Sequence, residues 1–397
     1  MFKIGPKIPS KIGKLGTVLF FASLASAFVG SVIAIYVNSF VNSEALTGFI
    51  FTGLVLVAIL SNFLIIPIVE SKSKTKIFIY SGIMVSIGYF LYSVVNNLWL
   101  FLLIACFVTI LTSLRIAAGG LLIEHSSTRK NLSKNEGFVY TIQNISWALG
   151  PLSVGFILAK LDVIRNIFIL AALFMIFSII LFFIFKFSYS GKKKKININP
   201  FKNFKDFFKE KNRVKAYILS GGLNFWWGLI YIYMPLLIIK NLNDSWVGFF
   251  LFFIVVPLIS LEYYFGKLAG KKGYKKIFTV GFLIPAAASL LCFFFFSNIW
   301  FIIISLSLAS IGLAMTEGTT EAYFFDILNS KEDSRFYSPY NTAIDVGSLF
   351  GEFIPALMLL FLPFKSIFLF YGAGMLILGL LALTIKDVFE FKRKGVF

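Results

Sequence analysis

Residues 167–185 read IFILAALFMIFSIILFFIF, and Ser178 is the single polar residue in this run. A helix rises about 1.5 Å per residue, so a run of this length crosses roughly 30 Å, the thickness of the hydrocarbon core of a bilayer. Lipid offers backbone groups no hydrogen-bond partner, which makes a helix the required conformation for such a segment. The run therefore predicts a transmembrane helix.

Apolar runs of similar length recur along the whole chain of 397 residues. Hydrophobic residues make up 58% and charged residues only 14%, whereas soluble domains carry about 25% charged residues. We predict an all-α membrane protein with twelve transmembrane helices. The predicted spans are 16–37, 45–67, 77–95, 98–121, 137–159, 165–187, 216–239, 246–266, 277–297, 299–322, 337–361 and 365–385.

The first span contains Ala25-Ser26-Ala27, which resembles a signal-peptide cleavage site. Its apolar run continues to about Val37, which is too long for the apolar region of a signal peptide. We therefore expect this segment to be an uncleaved first span.

The basic residues indicate how the chain is oriented. Of 37 Lys and Arg, 32 lie in the two tails and in alternate loops that share one side, and four lie on the other side. Basic loops stay in the cytoplasm, so both termini are predicted to be cytoplasmic in a multi-pass protein of the plasma membrane. The formal charge of +19 is thus explained by membrane topology, and nucleic-acid binding is not expected.

Three short matches relate the two halves of the sequence. They are Gly48-Phe49 with Gly248-Phe249, Lys76-Ile77-Phe78 with Lys276-Ile277-Phe278, and Asn97-Leu98-Trp99 with Asn298-Ile299-Trp300. Their offsets of 200 to 201 residues predict a tandem repeat of six spans in parallel orientation. We predict an N-terminal six-helix bundle at 1–187, a cytoplasmic connector at 188–213 and a C-terminal six-helix bundle at 214–397.

The connector carries its own local pattern. A basic run at Lys192–Lys195 precedes Asn199, a predicted helix cap, and Pro200 at the first helical position. Phe201, Phe204 and Phe208 follow at helical spacing among lysines. This pattern predicts a short amphipathic helix on the inner membrane surface.

The loop at 266–276 reads GKLAGKKGYKK and resembles the glycine-and-basic loop of the major facilitator superfamily. Gly266, Lys271 and Gly273 match that pattern, whereas Gly270 stands where the family usually has Asp. The corresponding loop of the first half, at 70–76, lacks the glycines. The resemblance implies a role in gating for the three matching residues.

Two helical motifs also resemble this family. In span 4, Arg115 is followed four residues later by Gly119, as in members where this arginine takes part in proton handling. Span 5 is similar to the glycine-proline signature of antiporters, with Gly137, Gly150, Pro151 and Gly155 as the matching positions, while Ser146 and Val154 replace expected glycines. The resemblance implies two pseudo-symmetric six-helix bundles in which the third helix of each triplet faces lipid, in agreement with the apolar spans 6, 9 and 12.

Ionisable residues within membrane spans are costly and are candidates for function. The acidic candidates are Glu317 and Glu321 in span 10, and Asp345 and Glu352 in span 11. Glu317 and Glu321 share one helical face, and two such carboxylates in a low dielectric resist double ionisation. We therefore expect the proton site among these four, although they could instead satisfy one another, Arg115 or nearby hydroxyls.

Arg115 has no carboxylate three or four residues away in its own helix. Its partner must come from another helix or from an anionic substrate. The sequence leaves open whether Arg115 serves coupling, substrate binding or a static ion pair.

Amides and aromatic residues in three spans are candidates for the lining of a substrate cavity. They are Tyr140, Gln143, Asn144, Trp147, Asn224, Trp227, Tyr231 and Asn341. Such a set suits a cation or an amphipathic organic molecule. Because 18% of the residues are aromatic, packing is the alternative for each aromatic member.

These features favour a proton-coupled secondary transporter of a small molecule, with efflux by antiport as the main hypothesis. Two alternatives stay open: a proton-coupled importer of a sugar, peptide or organic anion, and a non-transporting membrane sensor. The absence of an appended soluble domain is expected to disfavour the sensor.

Enzymatic activity is not expected, since the sequence has no phosphate-binding loop and no Ser/His/Asp arrangement. No cofactor or metal is expected either, because His125 is the single histidine and both cysteines, Cys106 and Cys292, lie in apolar runs. The expected partners are a small-molecule substrate, protons and the lipid bilayer. We expect a monomer because one chain holds both halves.

Overall fold

The computed structural model describes residues 10–71, 73–127, 132–161, 163–187, 200–328 and 333–387. Within these residues the regular structure is helical and no β-strand occurs. Ten helices of this part are long and apolar enough to cross a membrane. The prediction of an all-α membrane protein is confirmed, while the count of twelve spans and the cytoplasmic termini stay predictions.

The first six helices follow the first six predicted spans. They are α1 (Ser10–Val41), α2 (Glu44–Ser71), α3 (Lys74–Val94), α4 (Leu98–His125), α5 (Leu132–Leu161) and α6 (Ile164–Ile184). Most are longer than predicted, because hydropathy detects the apolar stretch and not the polar turns that extend a helix beyond it.

The connector and the second half contribute the other elements. They are α7 (Pro200–Phe207), α8 (Lys211–Gly228), a π-helical turn (Leu229–Tyr233), α9 (Met234–Asn241), α10 (Ser245–Lys272), α11 (Tyr274–Phe294), α12 (Ile299–Ile327), α13 (Asp333–Met358) and α14 (Ser366–Ala382). Predicted span 7 therefore consists of α8, the π turn and α9. Pro235 has no amide hydrogen for the carbonyl of Tyr231, which removes one α-helical hydrogen bond here.

The chain divides into two compact units. Unit 1 comprises residues 1–40, 56–195 and 247–252, and unit 2 comprises 41–55, 196–246 and 253–397. The start of α2 belongs to unit 2, where Glu44 forms an ion pair with Lys240 of α9. The predicted domain boundaries at 187 and 213 stay a prediction.

The residues that match between the two halves have equivalent structural roles. Asn97 and Asn298 cap α4 and α12, and each side chain accepts a hydrogen bond at 3.1 Å, from the amides of Leu100 and Phe301 respectively. Phe78 and Phe278, at the same turn of α3 and α11, are both fully buried. The repeated residues thus start corresponding helices and pack corresponding cores.

Glycines allow α8 and α13 of unit 2 to pack with their backbones close together. A Cβ on Gly347 would overlap the carbonyl oxygen of Gly221, and one on Gly351 would overlap the carbonyl oxygen of Phe225. Within membranes, small residues at helix contacts replace the missing hydrophobic driving force with close packing. This contact fixes the rotation of α13 and therefore the direction of its acidic side chains.

The connector helix α7 docks on unit 2. Phe207 is fully buried against the rings of Tyr217, Phe324 and Phe336. Arg335 contacts the Asn203 side chain at 2.9 Å and forms an ion pair with Asp206. The helix begins at Pro200 and buries Phe207, a residue outside the predicted apolar face. Lys192–Lys195 and Asn199 lie outside the described residues.

Candidate functional site

The candidate residues separate by charge between the two units. In unit 1, Arg115 is buried, and Glu124, exposed at the end of α4, is the one acidic residue whose side chain the structure describes. The four acidic candidates from the sequence all lie in unit 2. Unit 1 therefore carries the intramembrane cation, and unit 2 carries the intramembrane carboxylates.

Glu317 lies on α12 with one carboxyl oxygen, Oε2, fully buried and without a hydrogen-bond partner. Its electrostatic neighbours are Glu262 of α10 and Tyr231 of the π turn. A buried carboxyl oxygen without a donor is costly when the group is ionised. The structure thus leaves Oε2 without a donor that would stabilise a negative charge there.

Glu262 is a candidate that sequence reasoning missed. Its carboxylate covers Gly318, where a Cβ would overlap Oε1, and this places it beside Glu317. The sequence could have identified Glu262, because it is an acidic residue inside predicted span 8 and meets the same criterion that selected Glu317.

Glu321 shares a helical face with Glu317 and has different surroundings. The Tyr337 hydroxyl donates a hydrogen bond to Glu321 Oε1 at 2.8 Å. From the sequence we expected the two glutamates to act as one pair. In the structure Glu321 accepts a hydrogen bond from Tyr337 of α13, and the acidic neighbour of Glu317 is Glu262.

The polar candidate residues of α13, namely Asn341, Asp345 and Glu352, differ in burial. Asn341 and Asp345 are half-buried, and Asp345 interacts electrostatically with Tyr217, whose hydroxyl lies 3.1 Å from Thr342 Oγ1. Glu352 is only 8% exposed, and its Oε2 atom has no hydrogen-bond partner. Its backbone carbonyl accepts a bond of 2.6 Å from Tyr233. Glu352 is therefore deeply buried inside unit 2.

Arg115 is the buried cation of α4 and is 5% exposed. Its Nε atom has no hydrogen-bond partner, and one terminal nitrogen lies 3.5 Å from Ser26 Oγ on α1. Among the described residues, no carboxylate forms an ion pair with it. The static ion pair considered from the sequence is thus not formed in this part of the chain.

The candidate cavity residues of unit 1 lie along α5. Tyr140 is exposed, and Asn144 is half-buried. The Gln143 amide donates to Ser23 Oγ of α1 at 3.0 Å. Trp147 is half-buried and covers Gly30, with its ring 3.1 Å from the position of a Cβ there. Gln143 and Trp147 therefore also hold α5 against α1.

The candidate cavity residues of unit 2 meet near the π turn. Trp227 and Tyr231 are half-buried, and their ring centroids are 5.5 Å apart. Asn224 lies one turn before Trp227, and its amide donates to the Ser220 carbonyl at 3.5 Å. Since Tyr231 interacts electrostatically with Glu317, these aromatic residues and the acidic group belong to one cluster.

The motif glycines differ in their surroundings. A Cβ on Gly150 would overlap Ala27 of α1, and Gly248 packs on the backbone of Pro151 and Gly155 in α5. Gly273 ends α10 with φ of 87°, a conformation that favours glycine. Gly266 has no atom within 4 Å of its Cβ position, and Lys271 is exposed. Helix packing explains Gly150 and Gly155 and does not require a glycine at Gly266.

Comparison with known families identifies this architecture. The model of the Major Facilitator Superfamily matches residues 15–261 and 257–394. The chain belongs to the Major Facilitator Superfamily and is a multi-pass membrane transporter, which confirms the resemblance seen in its motifs. No curated protein matches the chain in sequence.

Solved structures of POT family transporters share the fold. A POT family transporter in complex with 5-aminolevulinic acid superimposes with a TM-score of 0.77 at 12% identity, covering 98% of this chain and 97% of that one. A POT family transporter with a thioalcohol-conjugated peptide gives 0.76 at 12% identity, covering 97% and 96%. A peptide transporter POT in complex with sulfate gives 0.73 at 12% identity, covering 94% of each chain.

Proposed function

We propose that the protein is a proton-coupled symporter that imports a small organic solute across the plasma membrane by alternating access, with both termini in the cytoplasm. The observation that carries this proposal is the carboxyl group of Glu317, whose buried Oε2 atom has no hydrogen-bond partner. A transporter driven by protons needs one group that exchanges a proton as its surroundings alternate between closed and open.

The surroundings of Glu317 suit that role. An ionised carboxylate at this position would lack a donor for Oε2 and would face the carboxylate of Glu262. Protonation removes both costs, and contact with water would restore the charge. Proton release is therefore tied to the opening of the site, which is the requirement for coupling.

Peptide-like solutes are favoured as the substrate class. The similar solved structures are named peptide transporters or POT family transporters, and their bound molecules include a conjugated peptide and 5-aminolevulinic acid. The cluster formed by Asn224, Trp227, Tyr231 and Glu317 offers an amide, aromatic faces and a carboxyl group. Together these groups can bind an amino group beside an apolar surface.

Efflux by antiport, the main hypothesis from the sequence, receives no support from these neighbours. Import therefore replaces efflux as the proposed direction.

Uptake into proteoliposomes tests the proposal. The purified protein is reconstituted, and dialanine and 5-aminolevulinic acid are supplied outside with an inward proton gradient. We expect accumulation above the external concentration that collapses when the gradient is removed. In Glu317→Gln, which keeps the shape of the side chain, we expect exchange of solute without proton-driven accumulation.

Glu124→Gln is the matched control, because Glu124 is exposed at the end of α4. It should accumulate solute like the wild type. Proton-driven accumulation by Glu317→Gln would exclude Glu317 as the coupling group, and accumulation only under an outward gradient would restore the efflux hypothesis.

A further inference from the structure

The buried guanidinium of Arg115 has unused hydrogen-bonding capacity. The residue is 5% exposed, Nε has no partner, and the contact from a terminal nitrogen to Ser26 Oγ is long at 3.5 Å. Arginine stays protonated in proteins. A buried charge without a counter-charge is strongly unfavourable. An anion beside the guanidinium of Arg115 would therefore be stabilising.

The described part of unit 1 does not supply that anion. Glu124, the one acidic residue of unit 1 whose side chain the structure describes, is exposed and lies nine residues further along α4, which corresponds to roughly 13 Å along the helix. No described carboxylate elsewhere forms an ion pair with Arg115. None of the side chains that the structure describes therefore supplies the counter-charge, which leaves the position open to an anionic ligand.

Hydroxyl groups lie on the neighbouring turns, with Ser26 Oγ 3.5 Å from the guanidinium and Tyr89 as its electrostatic neighbour. Tyr89 of α3 is buried with its hydroxyl 3.5 Å from Ser26 Oγ, and Ser26 itself donates to the Ala22 carbonyl at 3.2 Å. Thr112 lies three residues before Arg115 on the same side of α4, and its buried Oγ1 atom has no hydrogen-bond partner. Ser26 is half-buried, so these polar residues are less enclosed on the side of Ser26.

We propose that Arg115, with the hydroxyls of Tyr89 and Thr112, binds a carboxylate of the transported solute. Substrates are then organic anions or zwitterions, and neutral amides and esters are poor ligands. A carboxylate accepts hydrogen bonds and donates none, which matches the donors Nε–H of Arg115 and the two hydroxyls. The identification of the ligand as cargo rests on the proposed function, whereas the anion site itself rests on the geometry.

A binding measurement tests the site without transport. The melting temperature of the purified full chain is followed with three matched pairs at constant pH and ionic strength: lactate and lactamide, dialanine and dialanine amide, 5-aminolevulinic acid and its methyl ester. A ligand that binds the folded state raises the melting temperature with concentration. We expect at least one acid to bind about 10-fold or more tightly than its neutral partner.

Variants connect this preference to the residues. Arg115→Gln should weaken binding of the acid by roughly 30-fold or more, the loss expected when a buried charge loses its partner, and should leave the neutral partner unaffected. Arg165→Gln is the matched control, because Arg165 is an exposed arginine bonded to Asn96 at the start of α6. Tyr89→Phe and Thr112→Val keep the cation and should weaken acid binding by about 3- to 10-fold each.

Equal binding of acids and neutral partners by the wild type would overturn the carboxylate site, as would the absence of binding by all three acids. An unchanged preference in Arg115→Gln would overturn it too. Should Arg115→Gln fail to fold, the wild-type comparison and the two hydroxyl variants decide the same question.

Proton-driven uptake separates this inference from the proposed function. Uptake of dialanine and its amide at equal rates would leave proton coupling intact and refute the carboxylate site. Binding selective for the acid without proton-dependent uptake would support the site and refute the proposed coupling.

Discussion

The carboxylate of Glu262 on α10 lies over Gly318 on α12, in the place where any other residue would have its Cβ. This contact brings Glu262 beside Glu317, the proposed coupling group. Gly318→Ala should therefore displace the Glu262 carboxylate and shift the pH profile of solute uptake. The melting temperature should stay the same or rise, because the displaced group is the end of a flexible side chain and alanine favours a helix.

Gly120→Ala on α4 is the control for this prediction, since no atom lies within 4 Å of its Cβ position. It should leave uptake unchanged. A wild-type pH profile in Gly318→Ala would show that the position of Glu262 does not influence coupling.

Glu352 and Glu321 allow a comparison of two intramembrane glutamates with different partners. Glu352 is buried with an unpartnered Oε2, so Glu352→Met should stabilise the protein by about 1–3 kcal/mol, the cost of a buried polar group without a hydrogen bond. Glu321→Met loses the hydrogen bond from Tyr337 and should destabilise it by about 1 kcal/mol. Thermal unfolding in detergent gives both changes, and a lower melting temperature for Glu352→Met would show that its carboxyl group has a stabilising partner.

The close contact of α8 and α13 predicts a strong effect at Gly347. A methyl group there would overlap the carbonyl oxygen of Gly221, which belongs to the backbone and has little freedom to move. Gly347→Ala should destabilise unit 2 by about 1–3 kcal/mol, the usual cost of overpacking. Gly53→Ala on α2, where the Cβ position is open, should be neutral or slightly stabilising. Equal melting temperatures for the two variants would contradict the close packing of α8 on α13.

Asp206 of the connector helix should make stability depend on pH. The hydrogen bond from Lys209 and, after it, the contact with Arg335 lower the pKa of Asp206 below its ordinary value of 3.8. A carboxylate with a lowered pKa stabilises the folded state above its ordinary pKa, and this contribution is lost as pH falls through the folded-state pKa. Wild type should therefore be more stable than Asp206→Asn at pH 7, and the difference should shrink below about pH 4.

Melting temperatures of the two proteins between pH 7 and pH 3 check this prediction. Lys205→Gln removes an exposed charge from the same helix and should keep the pH dependence of the wild type. A difference between wild type and Asp206→Asn that is constant with pH would exclude the ionised side chain as its cause.

Sequence reasoning located the spans and part of the site. Hydropathy found each long helix, and the repeated asparagines at 97 and 298 marked the starts of α4 and α12, where they cap the helices. The intramembrane residues Arg115, Glu317 and Glu352 were selected because charge in a lipid environment is costly wherever it occurs. Glu262 satisfied the same criterion and was overlooked.

The π turn at Leu229–Tyr233 and the docking of α7 through Phe207 were not predicted. The docking of α7 depends on contacts with residues distant in sequence, whereas Pro235, which removes a helical hydrogen bond at the π turn, was visible in the sequence and was not used. The ring of Phe207 is buried by Phe324 and Phe336, which lie more than a hundred residues away, and a periodic pattern in α7 contains no information about them.

The sequence by itself determined the helical class, the positions of the spans and the family, because the thickness of the bilayer and the cost of unpaired backbone in lipid act on each segment separately. Only the tertiary structure decided which charges have partners. Glu321 has Tyr337, Glu317 faces Glu262, and Arg115 has no described carboxylate, since these outcomes depend on how helices rotate and approach one another. That rotation is set by contacts such as Gly347 on Gly221, between residues far apart in the chain.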